Sequence, residues 1–216
     1  MTPGQNLESC AMTKIKICGI TRIDDALYCA GLGTDYLGFV FAPGPRNVSP
    51  EKAAEIIGEL GGMNVLAAGV FVNEEEEEVK RTADLCGLDV LQFHGEETPE
   101  FCGRFPEFSV FKAFRIKCES DLARLKEYRT DAHLIDAFVE GLRGGTGKLL
   151  PAEIAAKAAE FTGRLFLSGG LDPENVAGRV ESVKPFGVDV SSGVERSPGV
   201  KDREKLKRFI NAVRNV

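Results

Sequence analysis

The chain has little metal-binding chemistry to offer. It has only two histidines, His94 and His133, and its six cysteines form no CxxC pair, so no metal-ligand spacing is complete. No basic cluster offsets the net charge of −6, which argues against nucleic acid as a partner. No apolar run is long enough to span a bilayer, so no membrane role is expected. The start, MTPGQNLESCAMT, has neither the basic residues nor the apolar stretch of a signal peptide, and a cytoplasmic protein with reduced thiols is expected. No linker-like composition divides the chain. One domain over residues 13–216 is expected, preceded by a loosely ordered extension over residues 1–12.

What the sequence does have is alternation. Strand-like apolar runs fall at 14–18, 36–41, 65–72, 89–94, 109–115, 133–136, 164–168 and 186–190. Helix-like segments lie between and after them, near 24–31, 50–60, 74–86, 99–105, 119–128, 151–161, 173–183 and 202–213. Each helix supplies the crossover that parallel strands require. Eight such repeats in about 200 residues predict a single-domain α/β protein, a (β/α)8 barrel. The rival, an open doubly wound sheet, often carries GxGxxG after its first strand; here that place holds CGITRIDDA. Ser49–Pro50 and Asp172–Pro173 read as helix starts. The acid run Glu74–Glu78 reads as the first turn of a helix capped by Asn73, with no chemistry of its own.

Barrel sites lie where the strands end. The first strand ends in Cys18, the second delivers Arg46 on a loop, the fourth ends LQFHG, the fifth KAFRI and the sixth at Asp136. Glycine-rich loops follow the last three strands: GGTGK from Gly144, SGG from Ser168 and SSG from Ser191. Residues without a Cβ let several backbone N–H groups approach one anion, so three such loops predict a phosphorylated substrate held by amides. Arg46 could add a bidentate contact to a carboxylate. A thiolate at Cys18 could remove a proton and Asp136 could donate one. The bland alternatives are core filler for Cys18, a loop cap for Asp136 and a solvated Arg46. Parity places Lys16 on the face of Cys18, inside the barrel, where a buried ammonium needs a partner; Asp189 is the candidate.

The ordered set KICGIT, DYLGFVF with PRNVSP, GVFVNE, LQFHGEE, LIDA before GGTGK, LSGGLDPENV and VDVSSGVE closely resembles the phosphoribosylanthranilate isomerase family, over nearly the whole chain. The resemblance implies an Amadori rearrangement in tryptophan biosynthesis, with neither cofactor nor metal; separately, a monomer or homodimer is expected. It assigns Cys18 as general base, Asp136 as general acid and Arg46 to the anthranilate carboxylate. The phosphate falls to Gly145, Gly169, Gly170, Ser192 and Gly193. For Cys18 to act near neutrality its thiol is expected to titrate below its free value of about 8.5. Two departures concern the anthranilate ring: no tryptophan follows the GGTG loop, and Asn47 stands where an aromatic residue commonly follows the arginine. The rival functions are another sugar-phosphate isomerase or epimerase, and a silent barrel that senses a phosphorylated metabolite.

Overall fold

The computed structural model of the chain describes residues 12–137 and 150–216. Eight parallel strands close a barrel in sequence order: β1 Lys14–Cys18, β2 Tyr36–Val40, β3 Leu66–Phe71, β4 Val90–Phe93, β5 Ser109–Ile116, β6 Ala132–Ala137, β7 Leu165–Leu167 and β8 Gly187–Val190. Among the described residues seven α-helices surround it: α1 Ile23–Gly31, α2 Pro50–Gly58, α3 Glu76–Cys86, α4 Pro99–Cys102, α5 Ala152–Phe161, α6 Val176–Val183 and α7 Arg203–Arg214. Between β5 and β6 the predicted helix is a 3₁₀ segment, Glu119–Glu127. A short hairpin, β9 Glu195–Ser197 and β10 Val200–Lys201, is inserted between β8 and α7.

The helices follow from periodicity and caps. In α7, Leu206, Phe209, Ile210 and Val213 are buried at helical spacing, and Asp202 accepts from the amides of Glu204 and Lys205. Ser49 caps α2 by accepting from Lys52 N–H, as its pairing with Pro50 predicts. Asn73 does not cap α3. It stands at φ 51, and its Oδ1 accepts from Glu96 N–H at 2.7 Å while Glu97 takes its own N–H at 2.8 Å. The neighbouring strand-end loop thus claims Asn73, and the helix begins later, behind Glu75. Asp172 likewise braces a turn at Glu174 and Asn175 before α6 begins.

Two cores result. The larger packs the outward strand residues against the helices. The smaller fills the barrel with Ala68, Val90, Phe111, Ala113, Ala132, Leu134 and Phe166. Tyr36, Phe111 and Phe166 meet there with ring centroids 5.2–5.6 Å apart, an aromatic floor near the strand starts. A repeated clamp fixes that end. Asp35, Asp89 and Asp131, each just ahead of an even-numbered strand, accept the N–H of Ile15, Ala67 and Val110 at the start of the preceding strand, at 2.8–2.9 Å. With one end filled and clamped, an open cavity is left at the other.

Candidate active site

Above the aromatic floor lies a cavity of about 360 Å³, lined by Cys18, Arg46, Asn73, Gln92, His94, Arg115, Asp136, Ser168, Asp189 and Ser191 among others. Cys18 is the last residue of β1 and Asp136 lies near the end of β6, so the two reach the cavity from strands that are not neighbours in the ring. Both are largely buried, at 8% and 6% exposure, and both line the cavity wall. Cys18 borders the cavity and belongs to neither apolar cluster.

Beside the sulfur, Lys16 is fully buried and donates to Asp189 at 2.9 Å, across register-paired positions of β1 and β8. Ser168 donates to the other oxygen of Asp189 at 3.2 Å. Burial works against the Lys16 ammonium, yet Asp189 and Cys18 outweigh it and its pKa is raised. Gly38, the register partner of Cys18, makes this arrangement possible. A Cβ there would lie 2.8 Å from Sγ and 2.9 Å from Nζ of Lys16. The expected lowering of the Cys18 pKa is not found. Burial pushes the thiol up, Asp189 adds to that, and Lys16 and Lys201 only partly oppose it.

Arg46 lies on the loop after β2, half-buried, and is not simply solvated. Its Nε donates to both oxygens of Glu195 (2.9 and 3.1 Å), and Nη2 donates to Oε2 at 2.7 Å. The bonds to Glu195 do not use Nη1. Gly19, at φ +78, lets the arginine stem pass, since a Cβ would meet Arg46 Cδ at 2.6 Å. Asn47 ties the loop to the end of β2 through the carbonyls of Val40 and Ala42. A second wall is formed by Gln92, His94 and Arg115. Gln92 Nε2 lies 3.1 Å from His94 Nδ1, and burial, with Arg115, Lys112 and Lys16, pushes the His94 pKa down to about 4 against the pull of Asp189. A neutral imidazole beside the Gln92 amide accepts its N–H at Nδ1, which assigns the ring proton to Nε2. Gln92 Oε1, Arg115 Nε and Ser191 Oγ are buried without a partner among the described residues, three polar atoms at one cavity.

The late glycine loops adjoin this cavity through Ser168 and Ser191. Gly169 and Gly170 both have left-handed backbone, at φ 81 and 68. Gly193 packs so closely that a Cβ would lie 1.9 Å from the carbonyl oxygen of Leu171. The loops after β7 and β8 are thus fitted backbone to backbone. Gly169, Gly170, Ser192 and Gly193 lie just beyond the lining residues, and Gly145 with its GGTGK loop falls outside the described residues.

The family model for N-(5'-phosphoribosyl)anthranilate isomerase matches residues 15–212. The chain belongs to this family. It is 52% identical to the N-(5'-phosphoribosyl)anthranilate isomerase of Geobacter sp. (strain M21), over 92% of this chain and 97% of the relative. It is 48% identical to that of Geobacter sulfurreducens, over 92% and 97%. The crystal structure of phosphoribosyl anthranilate isomerase from Thermotoga maritima superposes with a TM-score of 0.89 at 40% identity, covering 95% of this chain and all of the other. At TM-score 0.85 and the same identity and coverage lies a phosphoribosyl anthranilate isomerase in complex with reduced 1-(o-carboxyphenylamino)-1-deoxyribulose 5-phosphate. Within this isomerase framework, sequence reasoning gave no role to Gln92, His94 and Arg115, although LQFHG and KAFRI stood among the strand ends. It missed Glu195 and Lys201 altogether: Pro198–Gly199 signals the turn of the hairpin, but nothing local shows that the hairpin folds back onto the first strand.

Proposed function

We propose that the family's reaction, conversion of N-(5-phosphoribosyl)anthranilate to 1-(2-carboxyphenylamino)-1-deoxyribulose 5-phosphate, runs in this cavity with Asp136 as acid and Cys18 as base. The observation that carries the reading is that Cys18, Asp136 and Arg46 line one cavity. Asp136 gives its proton to the furanose ring oxygen. The C1–O bond breaks as the anilino nitrogen lone pair forms a C=N⁺ bond. That cation acidifies the proton on C2, which the Cys18 thiolate removes, and the C2–H electrons flow toward nitrogen to leave an enolamine. Tautomerisation puts a proton on C1 and makes C2 a ketone. One acid and one base on different sides of the sugar are sufficient, and general acid–base catalysis of this kind contributes roughly 10²–10⁴ for each group.

The raised Cys18 pKa bears on the timing. The thiolate is scarce near neutrality but strongly basic, and the iminium forming nearby adds positive charge where the sulfur needs it. The anthranilate carboxylate is assigned to the Arg46 guanidinium, which presents a planar fork. The phosphate is assigned to the amides around Gly169, Gly170, Ser192 and Gly193, with Gly145 from the loop after β6. Phosphate bound by neutral amides suits a chain with net charge −6. The setting is assigned to the cytoplasm, where a catalytic thiol stays reduced.

The test mixes purified protein with freshly generated phosphoribosylanthranilate and follows the loss of substrate fluorescence. Absence of turnover would defeat the reading. Turnover that survives Cys18→Ala or Asp136→Asn would defeat that residue's assignment alone.

A further inference from the structure

We infer that Lys201 is a positioning residue for the carboxylate end of the substrate, acting through Glu195 on Arg46; the inference rests on the assignment of Arg46 made above. Lys201 belongs to β10, is buried, and is not among the residues that line the cavity. Its ammonium donates to Glu195 Oε1 at 2.9 Å, to the carbonyl of Cys18 at 2.6 Å and to that of Ser191 at 3.3 Å. It thus ties the end of the base's strand, the loop after β8 and the carboxylate that holds Arg46.

Charge is the decisive point. Arg46 docks on Glu195 through Nε and Nη2, which orients the guanidinium and leaves its Nη1 edge outside that contact. A pair of this kind is neutral as a whole, and a neutral pair attracts a substrate carboxylate weakly. Lys201 takes the other side of Glu195, so the three groups in contact carry one net positive charge at the Arg46 edge. Two further charged groups lie close without joining them. Asp25 accepts the main-chain N–H of Lys201, and Lys205 reaches only the main-chain carbonyl of Glu195. The hairpin therefore lets the arginine be held rigidly by an acid without having its charge cancelled.

The consequence is specific to one end of the ligand. Two competitive inhibitors read it: the reduced product analogue, N-(2-carboxyphenyl)-1-amino-1-deoxyribitol 5-phosphate, and its N-phenyl counterpart without the carboxylate. The ratio of their inhibition constants isolates carboxylate recognition, whereas a general loosening of the fold weakens both alike. Lys201→Met is expected to cut that ratio at least fivefold, and the double variant Lys201→Met/Glu195→Gln, which restores one net positive charge on Arg46, is expected to recover it. A native ratio in folded Lys201→Met overturns the inference. If Lys201→Met does not fold, Lys201→Gln decides, since its amide can still donate to the buried acceptors while removing the charge: a ratio cut at least fivefold there supports the inference and a native one overturns it. Arg46→Gln is measured alongside. If it leaves the ratio intact, the Arg46 assignment itself fails; if it abolishes the ratio while Lys201→Met does not, only the role of Lys201 fails.

Discussion

The ammonium of Lys16 meets the carboxylate of Asp189 at 2.9 Å across paired positions of the first and last barrel strands, with both side chains buried. Removing one partner strands the other in the interior. Lys16→Met should therefore lower unfolding free energy by about 3–5 kcal/mol, and Lys16→Met/Asp189→Asn should regain much of it. Urea unfolding of the three proteins checks this, and equal stability of single and double variants would refute it.

The Cys18 thiol should titrate above the ordinary value of about 8.5, because burial outweighs the help of Lys16 and Lys201. Rates are a poor probe, since the acid must be protonated while the base is not, and apparent values belong to the pair. Ultraviolet thiolate absorbance, taken as native minus Cys18→Ser, isolates the group. The thiolate signal should rise only above neutral pH, and Lys16→Met should move its midpoint higher still.

Gly193→Ala should damage phosphate binding more than chemistry. The new methyl would sit 1.9 Å from the Leu171 carbonyl oxygen, which forces the loops after β7 and β8 apart. KM should rise at least tenfold, with a smaller fall in kcat. Gly31→Ala, where the methyl meets nothing within 4 Å, is the control and should leave both constants near native.

Asp89→Ala separates the two ends of the barrel. Asp89 accepts the N–H of Ala67 at 2.8 Å among the clamps at the strand starts and is not among the cavity's lining residues. The variant should lose about 1 kcal/mol of stability. Its kcat/KM should stay within a factor of two of native.

The barrel was legible because its evidence is local and repeated. KIKIC, YLGFV and their successors read as strands, and the helices carry apolar faces, with side-chain caps at the starts of α2, α4 and α7. Asn73 shows where local reading stops: as a cap it was reasonable, but Glu97 of the next strand-end loop competes for its backbone. Lys16–Asp189 was also foreseeable, because parity fixes which side chains enter a barrel and a buried ammonium must find an acid. The Arg46–Glu195–Lys201 cluster was not. It joins a loop after β2 to a hairpin about 150 residues later, and no periodicity encodes such a meeting. The direction of the Cys18 shift was likewise hidden, since it depends on how completely the sulfur is covered.

The seam between β1 and β8 has a consequence for how the molecule becomes active. Arg214, in the final turn of α7, donates to the carbonyls of Thr13 and Gly33 and to the carboxylate of Asp35, while Lys201 grips the carbonyl of Cys18. Residues about 180 to 200 positions later in the chain are thus the latch on the first strand. A chain cut ahead of β8 has no strand to pair with β1 beside Cys18, so the cavity takes shape only when the first and last barrel strands have met.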